Sequence, residues 1–238
     1  MTIAIDGPAG AGKSTVARGA ARQLGYAYID TGALYRSIAL AALRAGVPPG
    51  DEASVTALLP RVALDVRYID NTQHVYLDGE DVSEAIRDPK VSLATSCVSK
   101  YKAVRAFLLQ TQRDLAHARD SILDGRDIGT VVLPNADVKV FLTAQPEERA
   151  RRRWEEQKAR GVTDPFETVL AEVLARDAQD MNRAESPLRP APDSVLLDTT
   201  NMDLDESVQA LLAIIAQHHS IPWLPLGGAP AAAGERVK

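Results

Sequence analysis

The sequence predicts an α/β fold, a parallel β-sheet with helices on both faces, and three observations predict it. Short apolar runs alternate with helical patterns along most of the chain, so helices return the polypeptide between parallel strands. The 238 residues are 45% hydrophobic and 25% charged, which supplies a sizeable core and an ordinary hydrated surface. Between Arg61 and Ile86 the texture changes to runs in which apolar and polar residues alternate, the mark of an antiparallel insert.

The elements follow in order. Thr2–Asp6 reads as a buried strand and Lys13–Leu24 as a helix closed by Gly25. Residues 26–30 form a second strand, and an alanine-rich helix over about 33–44, capped by Thr31, stops at Gly46. V-A-L-D-V-R-Y-I and H-V-Y-L-D flank a D-N-T-Q turn as a hairpin. Residues 121–124, 138–142 and Val195–Asp198 complete five strands, each leading through loop signals into a helical pattern.

Residues 147–160 predict a highly charged helix, in which Glu147–Arg151, Glu148–Arg152 and Glu156–Arg160 are stabilising i,i+4 pairs. Asp164 is placed to cap the next helix, with Pro165 first and Glu167 completing a capping box. From about Ser220, prolines and glycines replace large apolar residues, and a disordered tail is expected over 220–238.

Charge narrows the classes of function. Against 27 basic residues stand 32 acidic ones, a net −5, which argues against nucleic acid as the main partner. A mononucleotide needs only a local positive pocket. The single cysteine, Cys97, excludes an internal disulfide and suits a reducing compartment. No apolar run approaches the roughly 18 residues of a membrane span. The strand-like opening T-I-A-I-D leaves no room for a signal peptide, so a cytoplasmic protein is expected.

Four segments carry chemistry. Gly7-Pro8-Ala9-Gly10-Ala11-Gly12-Lys13-Ser14 fits G-x-x-x-x-G-K-[ST], with a strand before and a helix after it. Its glycines let backbone N–H groups turn inward around phosphate, and the helix N-terminus adds partial positive charge. Lys13 can reach the β- and γ-phosphates and the Ser14 hydroxyl can ligate Mg²⁺. This loop indicates nucleotide phosphate binding without saying what becomes of the phosphate.

Asp30-Thr31-Gly32-Ala33-Leu34-Tyr35-Arg36 directs Arg36 toward the sheet edge where ligands bind. Asp124-Gly125-Arg126-Asp127-Ile128-Gly129-Thr130 follows a strand and brings an arginine between two aspartates to that same edge. Phe166, Val169, Leu170, Val173 and Leu174 form an apolar helical stripe, continued by Arg176, Asp180 and Arg183. Such a face passes from core into a polar cleft, or else ends in solvated intrahelical ion pairs.

G-P-A-G-A-G-K-S-T, D-T-G-A-L-Y-R, D-G-R-D-I-G-T and R-D-A-Q-D-M-N-R, in that order and at matching intervals, resemble the motifs of bacterial cytidylate kinases. The resemblance runs over about residues 2–220. It implies a three-layer P-loop kinase fold with a five-stranded parallel sheet, a small antiparallel β insert for the acceptor nucleotide and a helical lid. The core would be 1–60 and 97–219, the insert 61–96 and the lid about 147–165.

It further implies transfer of the γ-phosphoryl group of ATP to CMP and dCMP, with Mg²⁺, in a monomer that binds neither nucleic acid nor membrane. Lys13, Arg36, Arg126 and Arg153 would be catalytic. Gly7 to Thr15, with Arg149 and Arg153 from the lid, would hold ATP. Arg36 and Arg126 would hold the CMP phosphate, while Ser96, Arg105 and Arg183 would read cytosine with Asp127 positioning the arginines. Arg176 and Asp180 would contact the ribose, and Thr31 and Tyr35 would line the pocket; the family usually has Ser at position 31. Arg149 and Arg153 lack an i,i+4 acidic partner on their own helix, which favours them over Arg151 and Arg152 for reaching ATP. Two alternatives stay open at this stage: another small acceptor (UMP, AMP or shikimate), and a P-loop protein using ATP as a switch.

Overall fold

The computed structural model describes residues 1–159, 161 and 163–218; Arg160 and the expected tail at 220–238 lie outside the described residues. In chain order the elements are β1 (Thr2–Asp6), α1 (Lys13–Leu24), β2 (Ala27–Asp30), α2 (Thr31–Arg44) and α3 (Glu52–Leu58). Then come β3 (Leu64–Ile69), β4 (Thr72–Leu77), β5 (Glu80–Asp81), α4 (Pro89–Val98) and α5 (Lys102–His117). β6 (Ser121–Gly125), β7 (Val138–Thr143), α6 (Pro146–Ala159), α7 (Phe166–Met181), β8 (Val195–Asp198) and α8 (Leu204–His218) follow.

Five strands form a sheet in the order β2-β6-β1-β7-β8, and every neighbouring pair is parallel. Strand alternation sorts β1 between the two faces. Ile3 and Ile5 pack with Val16, Ala17 and Ala20 of α1 and Leu211, Leu212 and Ile215 of α8. Ala4, with Ile29 and Leu123, packs on the other side against Ala116 of α5 and Val132. The result is the expected three-layer arrangement.

β3, β4 and β5 form a separate antiparallel sheet. Its Val75 and Leu77 join Val82 and Ile86 in a core shared with Leu34 and Ile38 of α2, Val91 of α4 and Leu108 of α5. The hairpin is tighter than D-N-T-Q suggests. Asp70 and Asn71 alone make the turn, both at positive φ (49° and 59°), as two-residue hairpin turns require. Thr72 and Gln73 already belong to β4.

Three local expectations are corrected. Asp30, not Thr31, caps α2: its carboxylate accepts from Ala33 N at 2.9 Å. Thr31 instead lies in the first turn and donates to the Asp124 carbonyl at 2.7 Å. α7 begins at Phe166 after Pro165, without a side-chain cap. The carbonyl of Asp164 accepts from Trp154 Nε1 at 2.9 Å, fastening the α6–α7 connection through its backbone rather than through a capping box. After β6 there is no full helix, only the π turn Ile128–Val132. Among the described residues, no helix is long and apolar enough to cross a membrane.

Candidate active site

The loop from Gly7 to Ser14 joins β1 to α1, as the motif predicts. At Gly7, with φ 151°, a Cβ would lie 1.9 Å from the Leu142 carbonyl oxygen, so only glycine fits. Gly12 stands at the α1 N-terminus in the left-handed region, φ 86°. Pro8, Ala9, Gly10 and Ala11 carry the turn between them, and Thr15 follows in the first turn of α1, exposed. Lys13 is buried and donates to the Pro8 carbonyl at 2.7 Å. Burial lowers its pKa, and repulsion from Arg126 and Arg176 adds to the effect against Asp124 and Asp6.

The strands bring carboxylates to this loop. Asp30 and Asp124 are register partners at the carboxyl ends of β2 and β6. Ser14 donates to Asp124 Oδ2 at 2.6 Å, and the Tyr28 hydroxyl holds the other oxygen at 3.0 Å. Burial raises the pKa of Asp124, and nearby Asp30 adds to it. Asp6 is buried and accepts from the backbone N–H groups of Ile128 and Gly129, both at 2.7 Å, pinning the D-G-R-D-I-G-T loop to the end of β1. Its pKa is pushed up to about 6 by burial, opposed by those two hydrogen bonds.

Ser14 and Asp124 offer hard oxygens in the manner of Mg²⁺ sites, which use one or two protein ligands and leave the rest to phosphate and water. Among the described residues no cluster of three or more His, Cys, Asp or Glu is assembled as a metal cage. Two protein oxygens fit a metal whose remaining ligands are phosphate and water.

Arginines converge around the loop. Arg36 on α2 donates to Asp30 at 2.6 Å, and its Nε is buried without a hydrogen-bond partner. Arg126 donates to Asp180 Oδ2 at 3.0 Å and to the Gly125 carbonyl at 3.2 Å. Arg176 has its pKa lowered to about 10, first by burial and then by Arg126, with Arg153 and Arg36 adding to it against Asp180. Arg36, Arg126 and Arg153, from α2, the loop after β6 and α6, thus all repel Arg176 of α7, and Arg126 and Arg176 in turn repel Lys13. Crowding like charges is costly unless an anion is to be bound there.

A second group gathers around Arg105 and Arg183. Arg105 of α5 is paired with Asp127, donates to the Ser99 carbonyl at 3.0 Å and the Ser186 hydroxyl at 3.2 Å, and lies 5.5 Å over the Tyr35 ring. Tyr35 is buried, which raises its pKa. Arg183 donates to the Asp180 carbonyl at 3.3 Å, while its Nη2 is buried, unpartnered and 3.7 Å from Asp180 Oδ1. Burial lowers its pKa. Ser96 on α4 meets α7 through its carbonyl, which accepts from Gln179 at 3.1 Å, and is not brought into hydrogen-bond contact with Arg105 or Arg183. Arg176, Asp180 and Arg183 do sit together, as the stripe predicts. The apolar part of that stripe is narrower than expected: Val169 and Val173 are buried, whereas Leu174 is 48% exposed.

The α6 arginines depart most from expectation. Arg149 and Arg153 do have acidic partners, but on α7. Arg153 pairs with Glu172 at 3.1 Å. Arg149 is 3% exposed, bidentate to Asp177 at 3.0 and 2.6 Å, and donates to the carbonyls of Ala144 and Ala9, so it braces the phosphate loop from beneath. Arg152, disfavoured by spacing, keeps its pair with Glu148 and also donates to Thr199 O at 2.7 Å. Its Nη1 lies 3.8 Å from where a Gly12 Cβ would stand. Arg151 pairs with Glu148 and Glu155 on its own helix.

The sequence profile described as cytidylate kinase matches residues 3–217, nearly the whole described chain. The chain belongs to the cytidylate kinase family. It is 46% identical to the cytidylate kinase of Caldicellulosiruptor bescii over 214 residues, 90% of this chain and 95% of that one. With that of Syntrophotalea carbinolica it shares 48% over 223 residues, 93% and 94% of the two chains. The Mycobacterium avium cytidylate kinase shares 48% over 222 residues, 93% and 97%. Among solved structures, an uncharacterized protein from Eubacterium ventriosum matches with a TM-score of 0.50 at 11% identity, covering 91% and 98%, a likeness of fold alone.

Sequence reasoning missed Asp6, Asp30, Asp124, Asp177 and Arg152 in this cytidylate kinase family member. Asp6 ends a strand immediately before the first motif and Asp30 ends one as the first residue of the second, a positional signal available in the sequence. Asp177 sits four residues beyond Val173 on the buried stripe, which marks it as a buried charge needing a partner. No comparable signal singles out Arg152.

Proposed function

We propose that this member of the family transfers the γ-phosphoryl group of ATP to CMP, and to dCMP, giving ADP and the nucleoside diphosphate. The observation that carries the reading is the gathering of Arg36, Arg126 and Arg153 around Arg176, with Arg126 and Arg176 close to the buried Lys13 of a phosphate-binding loop. Phosphoryl transfer needs positioning and charge neutralisation more than covalent chemistry, and this arrangement supplies both. ATP phosphates lie against residues 7–15, with Lys13 on the moving phosphoryl group. Arg126 exchanges Asp180 for the acceptor phosphate, while Arg36, still held by Asp30, meets it through its free Nε. Ser14 and Asp124 hold Mg²⁺, which spreads the phosphate charge when bound. The acceptor phosphate is already an anion, so no general base is needed.

Arg183 and Arg105, kept in place by Asp127, face the cytosine edge together with Ser96. Asp180 and Arg176 take the sugar hydroxyls, and Thr31 and Tyr35 line the pocket. Residues 61–96 act as the acceptor insert and about 147–165 as the lid, on a core of 1–60 and 97–219. The net charge of −5 favours a small-molecule partner over nucleic acid, and the single cysteine suits the cytoplasm. The assembly is read as a monomer. The test is ADP formation from ATP with CMP, dCMP, UMP, AMP, GMP and shikimate. Preference for CMP and dCMP is expected; preference for any other acceptor, or hydrolysis of ATP alone, overturns the reading.

A further inference from the structure

β2 is an edge strand of the parallel sheet, so the outward N–H and C=O of Asp30 have no strand beside them. One side chain from the antiparallel insert takes both. Gln73 Oε1 accepts from Asp30 N at 2.8 Å, and Gln73 Nε2 donates to Asp30 O at 3.3 Å. Tyr68, the cross-strand partner of Gln73, adds a hydrogen bond to the Tyr28 carbonyl at 3.3 Å. A carboxamide is suited to this task because it presents a donor and an acceptor side by side, as a neighbouring strand would.

Asp30 is also where the site is held. Its Oδ1 caps α2 through Ala33 N, and its Oδ2 holds Arg36 Nη2 at 2.6 Å. The Arg36 Nε stays buried and unpartnered, a donor with a fixed direction and no acceptor. The chain of contacts therefore runs from the insert through Gln73 to the Asp30 backbone, and from the Asp30 carboxylate to the guanidinium.

We propose that Gln73 is a positioning residue for the acceptor site, setting the direction of Arg36 through Asp30. This rests on the reading of Arg36 as a ligand of the acceptor phosphate. Gln73 touches no substrate; it fixes the backbone from which the carboxylate projects. Its loss therefore weakens recognition of the phosphate and leaves recognition of the nucleoside intact.

The experiment compares CMP with cytidine, which lacks the phosphate, on wild type, Gln73→Met and Gln73→Glu. CMP affinity is read by calorimetry and cytidine by its inhibition of CMP phosphorylation. In Gln73→Met, CMP affinity falls about tenfold while cytidine inhibition stays within about twofold. Gln73→Glu keeps the shape and the acceptor but loses the donor, and shows the same pattern even if the methionine variant fails to fold. Equal weakening of both ligands, or of neither, overturns the proposal and leaves a plain edge cap. Wild-type protein that makes no CDP from CMP overturns the underlying reading, and the proposal with it.

Discussion

The Arg149 guanidinium and the Asp177 carboxylate meet through two hydrogen bonds, at 3.0 and 2.6 Å, with both side chains almost wholly buried. The same guanidinium donates to the Ala9 carbonyl at 3.1 Å, so an ion pair between α6 and α7 also sets the phosphate loop. Removing one partner of a buried pair strands the other charge, at a cost of about 3–5 kcal/mol. Asp177→Asn should therefore lower the melting temperature by roughly 10 °C. Arg149→Met with Asp177→Leu should recover much of that loss, because a well-packed apolar pair carries no stranded charge. Differential scanning calorimetry on the single and double variants checks it. Equal melting temperatures for Asp177→Asn and wild type would remove the brace.

Asp6 makes the stability of this fold pH-dependent in a definite direction. Its folded pKa, about 6, lies above the ordinary 3.8, so the folded state binds the proton more tightly. The stability it contributes is full below about 3.8 and is lost as pH rises through about 6. Asp6→Asn cannot titrate and lacks this dependence. The wild-type advantage over Asp6→Asn should therefore shrink between pH 4 and 6.5, by on the order of 1–3 kcal/mol, and level off above pH 7. Urea midpoints of both proteins across that range test the sign; a difference independent of pH would refute the assignment.

Ser14 and Tyr28 hold the two oxygens of Asp124, fixing the carboxylate's orientation beside the loop. Asp124→Asn keeps the size of the side chain but loses the charge that a nucleotide-borne cation would meet. The turnover number should fall on the order of 10²- to 10³-fold, with a higher Mg²⁺ concentration needed for half-maximal rate. Rates measured against Mg²⁺ at fixed ATP separate the two effects. A variant retaining a third of wild-type turnover would place Asp124 outside the chemistry.

Periodicity and motif spacing made the frame legible. All five parallel strands, the hairpin and the charged end of the α7 stripe were readable because each repeats a local pattern that burial imposes. What stayed hidden depends on contacts between distant segments. Spacing along α6 singled out Arg149 as unpaired, yet its partner lies 28 residues away on another helix. Gln73 read as a turn residue because D-N-T-Q is turn-like in composition, and nothing local says that its amide closes the edge of β2. Thr31 looked like the cap of α2, whereas the residue before it also has to hold Arg36.

The last prediction concerns Asp180, which accepts from Arg126 at 3.0 Å and lies 3.7 Å from Arg183. Two accounts fit a carboxylate between arginines. Either it only pairs the end of α7 with the loop after β6, or it also accepts hydrogen bonds from the sugar when phosphate draws Arg126 away. Cutting back protein and ligand together separates them. Wild type should lose kcat/KM on passing from CMP to 2′,3′-dideoxy-CMP, by roughly tenfold or more, because a buried charged acceptor is left without its donors. In Asp180→Ala the acceptor is already gone, so removing the hydroxyls should cost much less. A mutant and wild type that lose the same factor would show that the two groups do not interact. Asp180 would then serve only to hold Arg126, and the sugar would be read by Arg176 alone.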